Sequence, residues 1–416
     1  MISHAAKIVL KILVQRIEAK ARDFIGRNQF GFRKGLGTRD AIGVLRMLGE
    51  RSLDYGNEVC ICFVDFEKAF DRVNWVEMMG VLKRIGVDWR DRRLVEEMYL
   101  REEAVIRIGG ENSKPCVIGR GVRQGCPLSP LLFAVYVESM MIEAYEEASE
   151  GIRVGGRLIR DVRFADDQGM VAGSGEELQN IMDKLNEKAK EYEMKINVKK
   201  TKVMVISKVP GKKINIVVDG KLVEQVTKFK YLGAWITEDG RSLEEIKVRV
   251  GMGKSAFMDR RELLTSRLKV SLKKRIVKTV IWPVIMYGCE TWTMTEEVKR
   301  RIEACEMWLW RKMVRVKWSD RKTNEEVLKM VDEKRSLLEK IAKRKKNWIG
   351  HVLRGEGLLR DVMEGRMEGK RGRGRRRKSM LEELLVSDYA KMKRFAQDRE
   401  EWREWMPRTC REAENK

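Results

Sequence analysis

The run Val59-Cys60-Ile61-Cys62-Phe63-Val64 is apolar without a break and rich in β-branched residues. A half-exposed strand alternates apolar and polar side chains, so an unbroken run reads as a strand buried on both faces. A chain of 416 residues is long enough to cover it, with room for two or three domains and a sizeable core. The run stops at Asp65. Phe66 to Trp75 then turn into a helix, which leaves Asp65 at the carboxyl end of a strand, a common position for functional groups. Asp71 lies on that helix, either as a further metal ligand or as a surface acid paired with arginine.

A second acidic feature spans Val162 to Val171. A strand-like run (Leu158, Ile159, Val162, Phe164) leads into Asp166-Asp167-Gln168-Gly169, residues suited to a tight turn, and Met170, Val171 and Ala172 lead out. The stretch therefore reads as a β-hairpin with two acids at its tip. Adjacent carboxylates repel each other. Mg²⁺, a hard ion held by one or two carboxylates plus substrate phosphates, would offset that repulsion, although Asp-Asp-x-Gly is also ordinary turn chemistry. If the two strands are neighbours, Asp65, Asp166 and Asp167 come together. Two-metal phosphoryl transfer needs such an arrangement, with the ions about 3.5–4 Å apart, one lowering the pKa of a primer 3′-hydroxyl and the other stabilising the leaving pyrophosphate.

Charge narrows the choice of partner. Lys plus Arg (87) exceed Asp plus Glu (63), a formal net charge of +24, which favours a polyanion through counterion release: nucleic acid first, an anionic membrane surface second. No apolar stretch approaches a membrane span, and the start Ile8 to Val14 is interrupted by Lys11, so a soluble protein of the nucleus and/or cytoplasm is expected. The cysteines (Cys60, Cys62, Cys116, Cys126, Cys289, Cys305, Cys410) are odd in number and read as reduced thiols. With only His4 and His351, no Cys/His zinc site assembles and a histidine mechanism is weakened. Carboxylates are left to carry the chemistry.

The remaining chain supplies loops and helices around these acids. Met1 to Ala21 has helical periodicity. The loop Asn28-Gln29-Phe30-Gly31-Phe32-Arg33-Lys34-Gly35 either cradles a phosphate or is a solvated basic loop before a helix over Asp40 to Tyr55. Glu77 to Arg101 reads as helical. The loop Gly119 to Pro130, with Arg123-Gln124-Gly125 at its middle, then empties into a long apolar helix, a plausible seat for an anionic or nucleotide ligand. Ser174-Gly175-Glu176-Glu177 is a capping box that opens an amphipathic helix to about Glu193. Strands follow at Val203 to Ile206 and Phe229 to Ile236. From Leu243 the pattern is helical and tryptophan-rich; core packing is expected for Trp282, Trp292, Trp308, Trp310 and Trp318, with base stacking on an exposed one as the alternative. Lys370 to Lys378 is Lys or Arg broken only by glycine, a solvated run or a nucleic-acid contact. A polar helix, Leu381 to Trp405, ends the chain.

Taken in order, these motifs resemble the reverse transcriptases of non-LTR (LINE-type) retrotransposons. Gln29-Phe30-Gly31-Phe32-Arg33 with Thr38 is similar to the family's fingers motif, and Phe63-Val64-Asp65-Phe66-Glu67-Lys68-Ala69-Phe70-Asp71 to its first catalytic motif. Arg123 to Pro130 resembles the template and nucleotide loop, Phe164-Ala165-Asp166-Asp167 the catalytic box, Asn197 to Lys202 the lysine-bearing motif, and Tyr231-Leu232-Gly233 the primer grip. The resemblance covers about residues 1–240.

It implies an α+β right-hand polymerase: partial fingers (1–58), a palm with an antiparallel sheet (59–240), a helical thumb-like region (241–342) and a basic helical C-terminal region (343–416). It further implies two Mg²⁺ ions, or Mn²⁺, on Asp65, Asp166 and Asp167, with RNA template, DNA primer and dNTPs as partners. Phe70 becomes the gate against a ribose 2′-hydroxyl, and Gln124 and Gly125 line the nucleotide pocket. Arg33 contacts triphosphate or template, and Lys200, with Lys199 and Lys202 as competitors, donates a proton to pyrophosphate. Lys370, Arg371, Arg373, Arg375, Arg376, Arg377 and Lys378 are the expected nucleic-acid contacts. Because Met1 falls inside the fingers motif, upstream fingers strands and an endonuclease are expected to be missing. The alternative is a catalytically impaired remnant that only binds RNA or DNA.

Overall fold

The computed structural model describes residues 3–100, 102–146, 148–371, 377–384 and 388–405. Packing divides the chain into two units, Met1–Ala41 with Asn57–Thr227, and Ile42–Gly56 with Lys228–Lys416.

In the first unit the strand β1 (Val59–Val64) is buried at every residue, as its unbroken apolar run requires. It is the middle strand of a five-stranded sheet whose other members are β2 (Asp161–Phe164), β3 (Asp167–Ala172), β4 (Lys202–Ile206) and β5 (Glu224–Gln225), in the order β5-β4-β1-β3-β2. β1 is antiparallel to both neighbours, with Val64 opposite Gln168 on β3 and Val59 opposite Ile206 on β4. The two strands that the acidic motifs need as neighbours are therefore paired.

Alternate β1 residues Cys60, Cys62 and Val64 face a core shared with two helices, Ser129–Ala144 and Gly175–Glu191. The first opens with Pro130 in its first turn, where a missing N–H costs nothing. The second is capped reciprocally: the Glu177 amide donates to Ser174 Oγ (3.1 Å) and the Gly173 amide to Glu177 Oε2 (3.1 Å). The helical stretch expected over 77–101 is divided between two helices, Trp75–Arg84 and Trp89–Tyr99. Gly86 at φ +77° breaks it, and Asp88 caps the second helix by accepting the Arg90 amide at 2.9 Å.

The second unit is mainly helical. Its expected strand over 229–236 is a hairpin, β6 (Lys228–Tyr231) and β7 (Ala234–Thr237), because Leu232 (φ +49°) and Gly233 (φ +80°) form a two-residue turn with both dihedrals positive. Helices Leu243–Met258, Glu296–Met313 and Leu337–Arg354 pack around Trp282, Trp292 and Trp310, all buried. Trp318 departs from the expected core set and is 99% exposed. At the chain's end the expected long helix is two short ones among the described residues, Tyr389–Gln397 and Arg399–Glu404, separated by Asp398, which caps the second. Every described cysteine is free, and among the described residues no helix is long and apolar enough to cross a membrane.

Candidate active site

Asp65 follows the last residue of β1, and the loop that bears Lys200 holds it by its backbone. Its N–H donates to Thr201 Oγ1 (3.3 Å) and its carbonyl accepts the Asn197 amide (2.8 Å). The hairpin tip lies two residues earlier than the turn chemistry suggests. Gln168 and Gly169 are not turn residues; they sit in the ladder opposite Val64 and Phe63 of β1. The turn is Ala165-Asp166, closed by the pair Phe164 and Asp167, and Ala165 occupies the left-handed region at φ +58°. A non-glycine residue there stores strain, a common feature of functional turns. Asp166 thus rides on the turn and Asp167 opens β3 beside the end of β1.

The three acids sense one another. Asp166 is raised from the usual carboxylate range by burial of its surroundings, partly offset by its own backbone amide, and further by Asp65. Asp167 is pushed up to about 6, first by its packed surroundings and then by Asp166 and Asp65, although both hairpin acids reach solvent. Asp65 Oδ2 is buried with no hydrogen-bond partner, and Lys200 Nζ stands 3.8 Å from it. Among the described residues no three acid, His or Cys side chains are gathered closely enough to ligate one ion as they stand. A buried carboxylate oxygen without a hydrogen bond, amid surplus negative charge, nevertheless has the chemistry that suits a hard divalent cation.

Sequence reasoning missed what holds the hairpin in place. The loop expected to cradle phosphate, or to be solvated, instead lies along β2 as a short parallel bridge, Gln29 to Arg163. The Phe30 amide donates to the Arg163 carbonyl (2.8 Å) and the Arg163 amide to the Asn28 carbonyl (2.9 Å). Gln29, fully buried, accepts the Ala165 amide (3.1 Å) and the Gly31 amide (2.9 Å) on one side-chain oxygen, so it clamps the strained turn. A Cβ on Gly31 would stand 2.5 Å from the Ala165 nitrogen, so only glycine permits this approach. Beneath the turn, the Arg163 guanidinium is buried against Glu138 (3.0 Å) and Asp161 (3.3 Å). Burial alone would lower its pKa, but the two acids outweigh that and raise it. Nothing in the spacing of Asn28, Glu138, Asp161 and Arg163 announces this cluster; only the hydrophobic context of Asp161 and Arg163 on a buried strand hints at it.

The other expected residues divide by unit. In the first, Phe70 is half-buried with its ring stacked on Phe133 at 4.1 Å and 15°. Gln124 and Gly125 are exposed, and Gln124 lines a cleft of about 550 Å³ with Asp71, Arg120 and Arg123. Arg123 is committed there to Glu102 at 2.8 Å. Arg33 braces its own loop, donating to the carbonyls of Gly26 (2.8 Å) and Gln29 (3.3 Å). Lys202, a competitor of Lys200, is engaged by Glu224 at 2.8 Å.

In the second unit the turn after Tyr231 is anchored by Tyr287, whose hydroxyl donates to the Leu232 carbonyl (2.6 Å), and by Arg249 to the Gly233 carbonyl. The flanks of the basic run are not freely solvated. Arg371 lies over the Tyr55 ring at 5.5 Å, Arg377 donates to the Asp239 carbonyl (2.8 Å) and Lys378 pairs with Glu296 (3.1 Å). Lys370 is exposed, whereas Arg373, Arg375 and Arg376 lie outside the described residues.

Residues 1–236 match the family model for reverse transcriptase (RNA-dependent DNA polymerase). The chain is 26% identical over 208 residues to an uncharacterised transposon-derived protein of Caenorhabditis elegans, covering 49% of this chain and 75% of that one. It is 25% identical over 300 residues to the RNA-directed DNA polymerase from mobile element jockey of Drosophila funebris (69% and 32% covered). To a Pol polyprotein from the type-1 retrotransposable element R2 of Popillia japonica it is 22% identical over 244 residues (57% and 39% covered). The chain thus spans only about a third of the jockey and R2 proteins it matches. Among solved structures it is similar to telomerase from Candida albicans in complex with a telomeric RNA fragment, with a TM-score of 0.45, 13% identity and coverage of 78% of this chain and 58% of that one.

Proposed function

The chain belongs to the reverse transcriptase (RNA-dependent DNA polymerase) family, whose right-hand α+β fold it shares, and we propose that it copies an RNA template into DNA by adding dNTPs to a primer 3′-hydroxyl. The observation that carries this reading is the pairing of β1 with the β2–β3 hairpin, which puts Asp65, Asp166 and Asp167 within electrostatic reach of one another. In this reading the three carboxylates hold two divalent ions, Mg²⁺ or Mn²⁺. When bound, such ions supply the charge that makes a primer hydroxyl nucleophilic and stabilises departing pyrophosphate.

The chain's own groups do the rest. The main chain of Asp65 is held by the Asn197 amide and the Thr201 hydroxyl, which sets where its carboxylate starts. Lys200, free of the carboxylate that engages Lys202, gives its proton to pyrophosphate. Phe70, held flat by Phe133, excludes the ribose 2′-hydroxyl, and Gln124 and Gly125 line the nucleotide site. Arg33, braced at one end of its guanidinium, offers its remaining N–H groups to triphosphate or template. Tyr231, Leu232 and Gly233 serve as primer grip, and the Lys370–Lys378 run adds phosphate contacts. Residues 1–58 then act as partial fingers, 59–240 as palm, 241–342 as thumb and 343–416 as a basic region. A template and dNTPs are met inside the cell, in nucleus or cytoplasm.

The test is primer extension on poly(rA)/oligo(dT) with Mg²⁺ or Mn²⁺, beside Asp166→Asn and Phe70→Ala. Asp166→Asn should lower dNTP incorporation about a hundredfold or more, the scale for one preorganised electrostatic group. Phe70→Ala should admit rNTPs. Incorporation untouched by Asp166→Asn would refute the carboxylate assignment, and rNTP exclusion surviving in Phe70→Ala would refute the gate.

A further inference from the structure

The second unit contains a cavity of about 1400 Å³ that the catalytic reading does not use. Its walls come from the ends of helices Leu243–Met258 and Glu296–Met313 and from the turn Trp318–Asp320. Every charged residue on the wall is Lys or Arg. Among the described residues none of these cations takes part in an ion pair; Arg315 turns to the Thr265 carbonyl and Arg311 to Asn324 Oδ1 (3.0 Å). The nearby acid Asp320 is occupied by the Lys317 amide, which donates to its Oδ2 at 2.7 Å.

Two tryptophans complete the site. Trp308 is half-buried, edge-on to Phe257 at 5.5 Å, with Lys254 and Lys312 over its ring at 5.3 and 5.9 Å. Trp318 is 99% exposed on its short turn. Tryptophan usually hides most of its surface, and leaving one fully in water forfeits the burial that favours its use in a fold. An open ring beside unpaired cations is the chemistry of a site that stacks a base and holds phosphates. The size agrees. Small-molecule pockets enclose roughly 300–1,000 Å³, whereas this cavity is larger and every charge on its wall is positive.

We propose that this cavity binds a single-stranded segment of nucleic acid, with an unpaired base stacked on Trp318 and its phosphates met by Lys317, Arg321, Lys312 and Arg261. The site stands on the second unit alone, so it holds whether or not the carboxylates polymerise. Inside a duplex the bases are stacked on one another, so double-stranded nucleic acid offers Trp318 only its terminal pairs and should bind this cavity mainly through phosphates.

The probe is a uridine-rich RNA 15-mer, with the DNA 15-mer of the same sequence and a blunt RNA duplex as further arms. Ultraviolet cross-linking to the full chain followed by peptide mass spectrometry should place single-strand adducts on Trp318, and the duplex should give at least tenfold fewer there. By fluorescence anisotropy, Trp318→Ala should weaken single-strand binding about tenfold and Trp318→Phe should restore most of it, since stacking needs a ring and not an indole. Equal losses in RNA and DNA mean a site that reads base and phosphate; a loss confined to RNA means that it also reads the ribose. Arg321→Glu should flatten the salt dependence of binding. The cross-link keeps the Lys370–Lys378 run from masking the result. Adducts that all map elsewhere, Trp318→Ala binding as the unmodified chain does, or a Trp318→Ala loss seen only with phosphatidylserine vesicles would overturn the proposal.

Discussion

The hairpin β2–β3 carries charge at its tip and at its root, and treats the two oppositely. At the root, the Arg163 guanidinium is buried between Glu138 and Asp161 and also bonds Asn28, so the buried cation is paired on both sides and each carboxylate has a cation in contact. At the tip, Asp166 and Asp167 face Asp65 with Lys200 as a distant counter-charge, and Asp167 is held up to about 6. The root puts a cation in contact with its buried acids, whereas three carboxylates share the tip and Asp166 and Asp167 are raised there, a pattern typical of functional sites. The root fixes the hairpin, and the tip is where the proposed cation would bind.

The largest effect should come from breaking the root. Arg163→Met would strand Glu138 and Asp161 as buried, unpaired acids and should cost about 3–5 kcal/mol of stability, readable as a lowered midpoint in urea unfolding. An unchanged midpoint would show that the pair is solvated and that the contrast with the tip is false. Replacing all three charges by apolar residues of similar volume should recover much of the loss, because no buried charge is then left without its partner.

Next comes the joint between the loop and the tip. Gly31→Ala would put a methyl group 2.5 Å from the Ala165 nitrogen and displace the turn from the Gln29 clamp. We expect a cost of about 1–3 kcal/mol, the range for overpacking, together with a loss of primer extension larger than Gln29→Glu would cause by charge alone. Normal extension by a stably folded Gly31→Ala would mean that the tip tolerates a shift and that its geometry is not set by this loop.

How much of this was legible beforehand depends on the range of the interaction. Asp65 could be read because the cause is local: an unbroken apolar strand ends there. Ser174 and Glu177 could be read for the same reason. The hairpin was found but its tip misplaced, since Gln168 and Gly169 have turn chemistry and only their pairing with β1 makes them strand. The Gln29 clamp and the Arg163 cluster join residues 136 and 25 positions apart, and no local pattern encodes such a pairing. Helix Trp75–Arg84 ends at a glycine whose positive φ could have been suspected from Gly86-Val87-Asp88. The exposure of Trp318 depends on how the neighbouring helices end, which periodicity does not reveal.

The smallest effect is the most informative about the tip. Asp167 is more readily protonated in the fold than in the unfolded chain, because its packed surroundings and its acidic neighbours disfavour the anion. Between the unfolded carboxylate value and about 6 the folded protein therefore binds more protons, and its stability falls as pH rises through that window. Asp167→Asn removes this penalty. A shift of this size corresponds to roughly 3 kcal/mol for a fully buried group, but Asp167 reaches solvent, and screening brings the expected gain down to about 1 kcal/mol at pH 7 in EDTA. Below about pH 4 the two proteins should be equally stable. Adding Mg²⁺ should reverse the order at pH 7, since the cation stabilises only the chain that keeps its carboxylate. If Asp167→Asn lowers stability in EDTA, the tip is already balanced by the protein itself and its acids are not held open for a metal.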